Sequence, residues 1–199
     1  LDFGREDYHG DSGPITIRRY PLDEMEPQHQ AFLDTASALG YPDCPDANDP
    51  NGHGAGPQPM NKLGRLRISA AVGYLAPARI RPNLQIRSDT SVRRLLFEGR
   101  RCVGAEVQPS NASDGDSVTQ VSARLVILSA GALMSPTILM RSGVGAEAQL
   151  ARLGVDVVRQ APGVGKNLSD HPALAVVCQV RDPSLIDFDR PIIQTILRY

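Results

Sequence analysis

The chain contains no tryptophan, and aromatic residues make up only 5% of its 199 positions. Large rings usually supply much of a core's buried area, so a self-sufficient single core is not obvious here. Long apolar runs are also missing. Ala173–Cys178 and Ile192–Leu197 fall far short of the ~20 residues that span a bilayer as a helix. Neither charge sign dominates: 21 Lys and Arg face 22 Asp and Glu, for a net charge of −1. This excludes a basic field for nucleic acid and a cationic helix for a membrane surface. Cysteine is scarce, with Cys44, Cys102 and Cys178 far apart and no C-x-x-C spacing. Such a set reads as reduced thiols, not as a disulfide framework or zinc site. The opening LDFGREDYHGDSG is acidic and polar, unlike a signal peptide. A cytoplasmic location is therefore expected, and the N-x-S triplets at Asn111 and Asn167 carry no weight as glycosylation sites.

What the chain does have is turn-forming residues, 18 glycines and 16 prolines. Ile15–Arg19 alternates apolar and polar and predicts a strand. Asp23–Leu39 predicts an amphipathic helix with Phe32, Leu33, Ala36 and Leu39 on one face, ended by Gly40. The segment 42–61 holds five prolines and three glycines, a density that predicts no regular element. A loop that long is either a lid or binding loop, or disordered. Ile68–Leu75 predicts a short helix stopped near Pro77. Strands are expected at Leu84–Arg87, Ser91–Phe97 and Arg101–Val107, the last two joined by a Glu98-Gly99-Arg100 hairpin. After the solvated loop 108–117, Val118–Leu128 reads as a strand that becomes buried on both faces. A helix over Ala146–Leu153 and a strand over Val155–Arg159 precede the turn-rich Pro162–Pro172.

Chemistry-bearing residues are sparse. Gly52-His53-Gly54-Ala55-Gly56 and Gly163-Val164-Gly165 both fail the G-x-G-x-x-G spacing of a dinucleotide fingerprint. His9, His29 and His53 lack metal-ligand spacing. Asp170-His171 is an adjacent carboxylate–imidazole pair, but sequence neighbours point apart, and Asp170 is better suited to holding local backbone. Arg79 and Arg81 read as a solvated face. Gly131–Gly145, GALMSPTILMRSGVG, is the most constrained stretch. It follows the apolar Arg124–Ala130 and predicts a strand, a small-residue turn and a helix with Ser135 as N-cap, Pro136 first and Ser142-Gly143 as its close. That turn suits an anion such as a dinucleotide phosphate. Residue patterns alone thus reach a soluble α/β protein with an anion-binding turn, and no reaction.

The stretch SAGALMSPTILMRSGVG resembles the second signature of the glucose–methanol–choline (GMC) oxidoreductase family, with Gly131, Ala132, Ser135, Pro136, Ile138, Leu139, Ser142, Gly143, Val144 and Gly145 all fitting. Three further segments are similar in the same order: HGDSGPITIRR (9–19), the stretch 67–107, and PGVGKNLSDHP (162–172). The resemblance implies an α/β (mixed α+β) fold, comprising part of a Rossmann-like FAD-binding domain with a β-meander and part of an α+β substrate-binding domain. It divides the chain into a substrate-domain segment with a lid loop (1–62), a partial FAD domain (63–172) and the start of the main substrate segment (173–199). It implies FAD as cofactor and a small-molecule alcohol as substrate, oxidised at a CH–OH carbon with hydride passing to flavin N5.

Carried over by motif, Val92 meets the adenine through its backbone, Ala130 and Gly131 lie beside the ribose and pyrophosphate, and Asn167, Asp170 and His171 lie near the flavin. The family's glycine fingerprint and its His-bearing catalytic segment have no match in these residues. No catalytic residue is therefore assigned, and the chain is expected to be an internal portion, inactive alone, with its partners the missing N- and C-terminal segments. Two alternatives stay open: a non-catalytic piece completing an enzyme with partner chains, and a hydroxynitrile-lyase-like relative in which FAD is structural.

Overall fold

The computed structural model describes residues 8–10, 12–113, 118–187 and 189–199. These fall into two units, one formed by the residues up to Leu84 together with those from Val176 onward, the other by Gln85–Ala175.

In the first unit, helix α1 (Pro27–Ala38) is shorter than its sequence pattern, because a separate 3-10 turn takes Leu22–Glu24. Pro27 accounts for the late start, since it has no N–H to continue a preceding turn and suits the first helical position. The helix ends as expected at Gly40: Gly40 N–H donates to Ser37 O and Tyr41 N–H to Ala36 O, the paired bonds of a Schellman cap. Its apolar face is only partly used, since Ala36 is buried while Phe32 and Leu39 are exposed.

The segment 42–61 is not devoid of regular structure. Gly54–Pro57 forms β1, antiparallel to β9 (Thr195–Arg198), and Asp43 bridges to Ala55. The glycines make this approach instead of breaking it. A Cβ on Gly54 would lie 1.9 Å from Pro42 O, and one on Gly56 1.7 Å from Cys44 O. Ile15–Arg19 is likewise not a strand; its only pairing is the Arg18–Met60 bridge. A small hairpin of β2 (Lys62–Leu63) and β3 (Leu66–Arg67) follows. The next helical run starts later than predicted and passes Pro77: a π-turn over Ala71–Leu75 continues into α2 (Ala76–Ala78). The wider π-turn relieves the i−4 clash that a proline imposes on an α-helix.

The second unit is built on an antiparallel meander, β4 (Thr90–Glu98), β5 (Arg101–Pro109) and β6 (Thr119–Ser122). The hairpin at Gly99-Arg100 stands where predicted, whereas Leu84–Arg87 forms no strand. Helix α3 (Gly131–Arg141) packs its C-terminal half on this sheet, burying Ile138. The contact is pinned by Ser142, whose hydroxyl accepts from Leu95 N–H at 2.8 Å and donates to Ile138 O at 2.6 Å. Beyond it, β7 (Val144–Gly145) pairs in parallel with β8 (Arg159–Gln160), and α4 (Glu147–Arg152) buries Leu150 completely. Full burial of one leucine contributes about 1.5–3 kcal/mol.

The largest departure from the sequence reading is at Val118–Leu128. Only Thr119–Ser122 is paired, and from Arg124 the chain has no strand partner among the described residues. Leu125 and Ile127, expected to be buried, are 77% and 81% exposed. A strand apolar on both faces needs a covered sheet around it, and no described segment supplies a neighbour. The fold is mixed α/β, as expected.

Candidate functional site

All six residues assigned from sequence lie in the second unit. The helix they flank begins earlier than predicted. Ala130 is the N-cap and Gly131 the first residue of α3, while Pro136 stands inside the helix. Ser135 is therefore not the cap, but its side chain still serves that end: Ser135 Oγ accepts from Ala130 N–H at 3.0 Å. That bond occupies the Ala130 amide. The N–H groups of the following turn, Gly131 to Leu133, are those an α-helix leaves without internal acceptors. Gly131 takes φ +81°, and a Cβ there would meet nothing within 4 Å. The bare, left-handed backbone and the exposed first turn form an open ledge. Its positive helix end favours a negative group.

The loop after β8 folds back on the same helix. A Cβ on Gly165 would lie 3.3 Å from Met140 Cε, and Lys166 N–H donates to Gly163 O in the turn. The two together enclose a cavity of about 450 Å³, lined by Ala132, Pro136 and Thr137 on the helix and by Lys166, Asn167 and Ser169 on the loop. Asn167 holds φ +56°, a conformation asparagine tolerates better than most residues. Ala132 and Asn167, 35 positions apart in the chain, thus share one wall. Asp170 and His171 do not join it. Both are exposed, and Asp170 Oδ1 accepts from the neighbouring His171 N–H at 2.7 Å, the local backbone role its position suggested. Val92 sits half-buried in β4 opposite Val107.

Lys166 is the residue that sequence reasoning passed over. Among the described residues it is the only cation lining this cavity, and it lies in the PGVGKNLSDHP motif directly before Asn167, so its position was available to be read. The first unit carries a separate cavity of about 670 Å³ lined by Tyr20, Leu33, Asp34, Cys44 and others, with the 42–57 segment as one wall. Among the described residues no three His, Cys, Asp or Glu side chains gather as a metal site, and no helix is long and apolar enough to cross a membrane. All three cysteines are free thiols.

The second unit is thus a mixed α/β arrangement, a β-meander pinned to a helix whose N-terminus opens on a glycine ledge. Residues 8–173 match the GMC oxidoreductase family, and the chain belongs to that family. It is 39% identical over 196 residues to an uncharacterized GMC-type oxidoreductase of Rhodococcus erythropolis, covering 98% of this chain and 38% of that protein. It is 42% identical over 173 residues to the oxygen-dependent choline dehydrogenase of Serratia proteamaculans, covering 85% and 30%. Among solved structures, an FAD-dependent oxidoreductase from Chaetomium thermophilum aligns with a TM-score of 0.74 at 31% identity, over 82% of this chain and 28% of that one. The chain therefore spans about a third of the length of the curated relatives it matches. The ledge at Gly131 has the bare backbone and N–H donors that an anionic group requires.

Proposed function

We propose that the chain is the middle portion of an FAD-dependent oxidoreductase acting on the CH–OH group of an alcohol-type substrate, and that it supplies one wall of the cofactor cleft. The observation that carries this reading is the open start of α3, with Gly131 in a left-handed conformation and space beside it. Gly131 would admit the pyrophosphate, with Ala130 beside the ribose and the Val92 backbone at the adenine. Asn167, Asp170 and His171 would border the flavin. Bound FAD supplies the two-electron redox chemistry; these residues bind and orient it. Residues 63–172 would serve the cofactor side, and 1–62 and 173–199 the substrate side. The three free thiols support a reducing, cytoplasmic setting.

The catalytic base is not among the assigned residues, and no G-x-G-x-x-G phosphate loop lies within the 199 positions. The isolated chain is accordingly inactive as a dehydrogenase or oxidase and holds FAD weakly or not at all. Absorbance at the flavin bands after gel filtration with excess FAD tests this. Retention of one FAD per chain overturns it. In a flavin-loaded full-length protein, Gly131→Val weakens FAD retention at least tenfold, because a β-branched residue resists the left-handed conformation; unaltered retention removes Gly131 from the cleft.

A second reading is favoured by one feature. The unpaired segment 124–128, with Leu125 and Ile127 exposed, is a surface for partner chains that complete the sheet. Co-expression with segments carrying the glycine fingerprint and the catalytic histidine should then restore flavin absorbance.

A further inference from the structure

Four charged side chains from three elements converge on one cavity of the second unit. Arg93 and Arg94 of β4, Glu106 of β5 and Arg141 of α3 line a space of about 340 Å³. Strict strand alternation would send Arg93 and Arg94 to opposite faces. A β-bulge prevents this. Val92 pairs with Val107 and Arg94 with Glu106, so Arg93 is an inserted residue with no partner of its own. Both guanidinium groups are exposed and border the same cavity.

The single carboxylate is already engaged. Arg94 Nε and Nη2 each donate to a different Glu106 oxygen at 2.7 Å. Arg93 donates only to the neutral amide of Gln108, at 3.1 Å. The Arg141 side chain makes no ion pair or hydrogen bond among the described residues. Nor is Arg141 needed to cap its own helix: Ser142 N–H and Gly143 N–H already serve the carbonyls of Ile138, Leu139 and Met140. Three guanidinium groups against one carboxylate leave a charge of +2 around a space larger than a single oxyanion. Planar guanidinium forks match the oxygens of phosphate and donate in pairs. Arg141 closes the opposite end of α3 from Gly131, ~15 Å along the helix at 1.5 Å per residue, so this cavity is separate from the proposed pyrophosphate ledge.

We propose that this cavity binds a phosphate monoester dianion, gripped by Arg93 and Arg141 over the fixed Arg94–Glu106 pair. The test is isothermal titration of the purified protein, in the flavin-loaded form where available, with inorganic phosphate and with glycerol 3-phosphate. Ionic strength is held constant with chloride, and acetate serves as a singly charged control. One saturable site per chain is expected, with a Kd of ~0.1–5 mM, within the weak range of small-ligand binding. Arg93→Ala and Arg141→Ala should each weaken it at least tenfold, Arg141→Lys by less, and the exposed Arg152→Ala not at all. Tighter binding of glycerol 3-phosphate assigns an organic monoester as the natural ligand; equal or weaker binding assigns free phosphate. Heat that does not saturate, equal binding of acetate, or affinity unchanged in both Arg93→Ala and Arg141→Ala overturns the site. The variants sit on exposed side chains, and an unchanged melting temperature in chloride alone verifies their fold.

Discussion

Two side chains carry more of the second unit than their chemistry suggests. Ser142 is buried and joins α3 to β4 through one hydroxyl that both accepts and donates. Ser142→Ala strands the Leu95 amide in a buried place, and a loss of about 1–3 kcal/mol in urea unfolding is expected. Glu106 gives a pH signature. The hydrogen bonds from Arg94 hold its carboxyl below the ordinary glutamate range. A folded value below the unfolded one, about 4.3, means the contribution is present above that pH and is lost as pH falls through the folded value. Stability measured from about pH 5 down to about pH 3 should decline, and Glu106→Gln should flatten part of that decline. Ser142 was readable from sequence as a helix-end residue, and Gly143 as the close of α3. The bond to Leu95 was not, because it joins residues 47 positions apart and local patterns say nothing about which strand edge a helix end meets.

Among the elements, the meander hairpin was the most legible, since Glu98-Gly99-Arg100 between two alternating runs is a local signal that no tertiary contact has to decide. Strand β1 was the least legible. Its composition, GAGP, argues against a strand, and only the approach of Pro42 and Cys44 carbonyls to Gly54 and Gly56 explains why glycine is required. Gly56→Ala should therefore cost about 3 kcal/mol or more, at the high end for single substitutions, while Gly163→Ala, where a Cβ meets open space, should stay within about 0.5 kcal/mol. Thermal melts by circular dichroism separate the two. The helix α3 starts five residues before the Ser135-Pro136 pair, which makes a good local N-terminus; Ala130 and Gly131 begin the helix, and Ser135 accepts the Ala130 N–H from inside it. Motif resemblance, more than chemistry, singled out Ala130, Gly131 and Asn167; the fold places the first two at the start of α3 and the third in the cavity beside it, where Lys166 is a further lining residue.

For the molecule as a whole, the scarcity of large rings has a visible counterpart. The buried set is short, and many large apolar side chains face outward, including Leu125, Ile127, Leu174 and Val177. Within the second unit, Leu125 and Ile127 stand exposed on one unpaired segment, apolar surface of the kind that marks an interaction site. The purified chain should self-associate as its concentration rises, read by sedimentation velocity. Leu125→Lys with Ile127→Lys should suppress that association while shifting the melting temperature little, since neither side chain is packed. If the double variant associates as strongly as the parent, the 124–128 segment is not the contact.

The hairpin contains a second irregularity that complements the first. Arg93 is extra on β4, and between Leu96–Gly104 and Phe97–Cys102 the extra residue falls on β5, at Val103. Each strand thereby spends one surplus residue, and both reach nine. The two surpluses act as slack in opposite arms of one loop. A deletion at 93 or at 103 can be absorbed where it falls, with the pairs on either side kept. A deletion at Leu95 or Ala105 has no such reserve and inverts every side chain from there to the nearer bulge. Length variation among relatives of this chain should gather at those two positions.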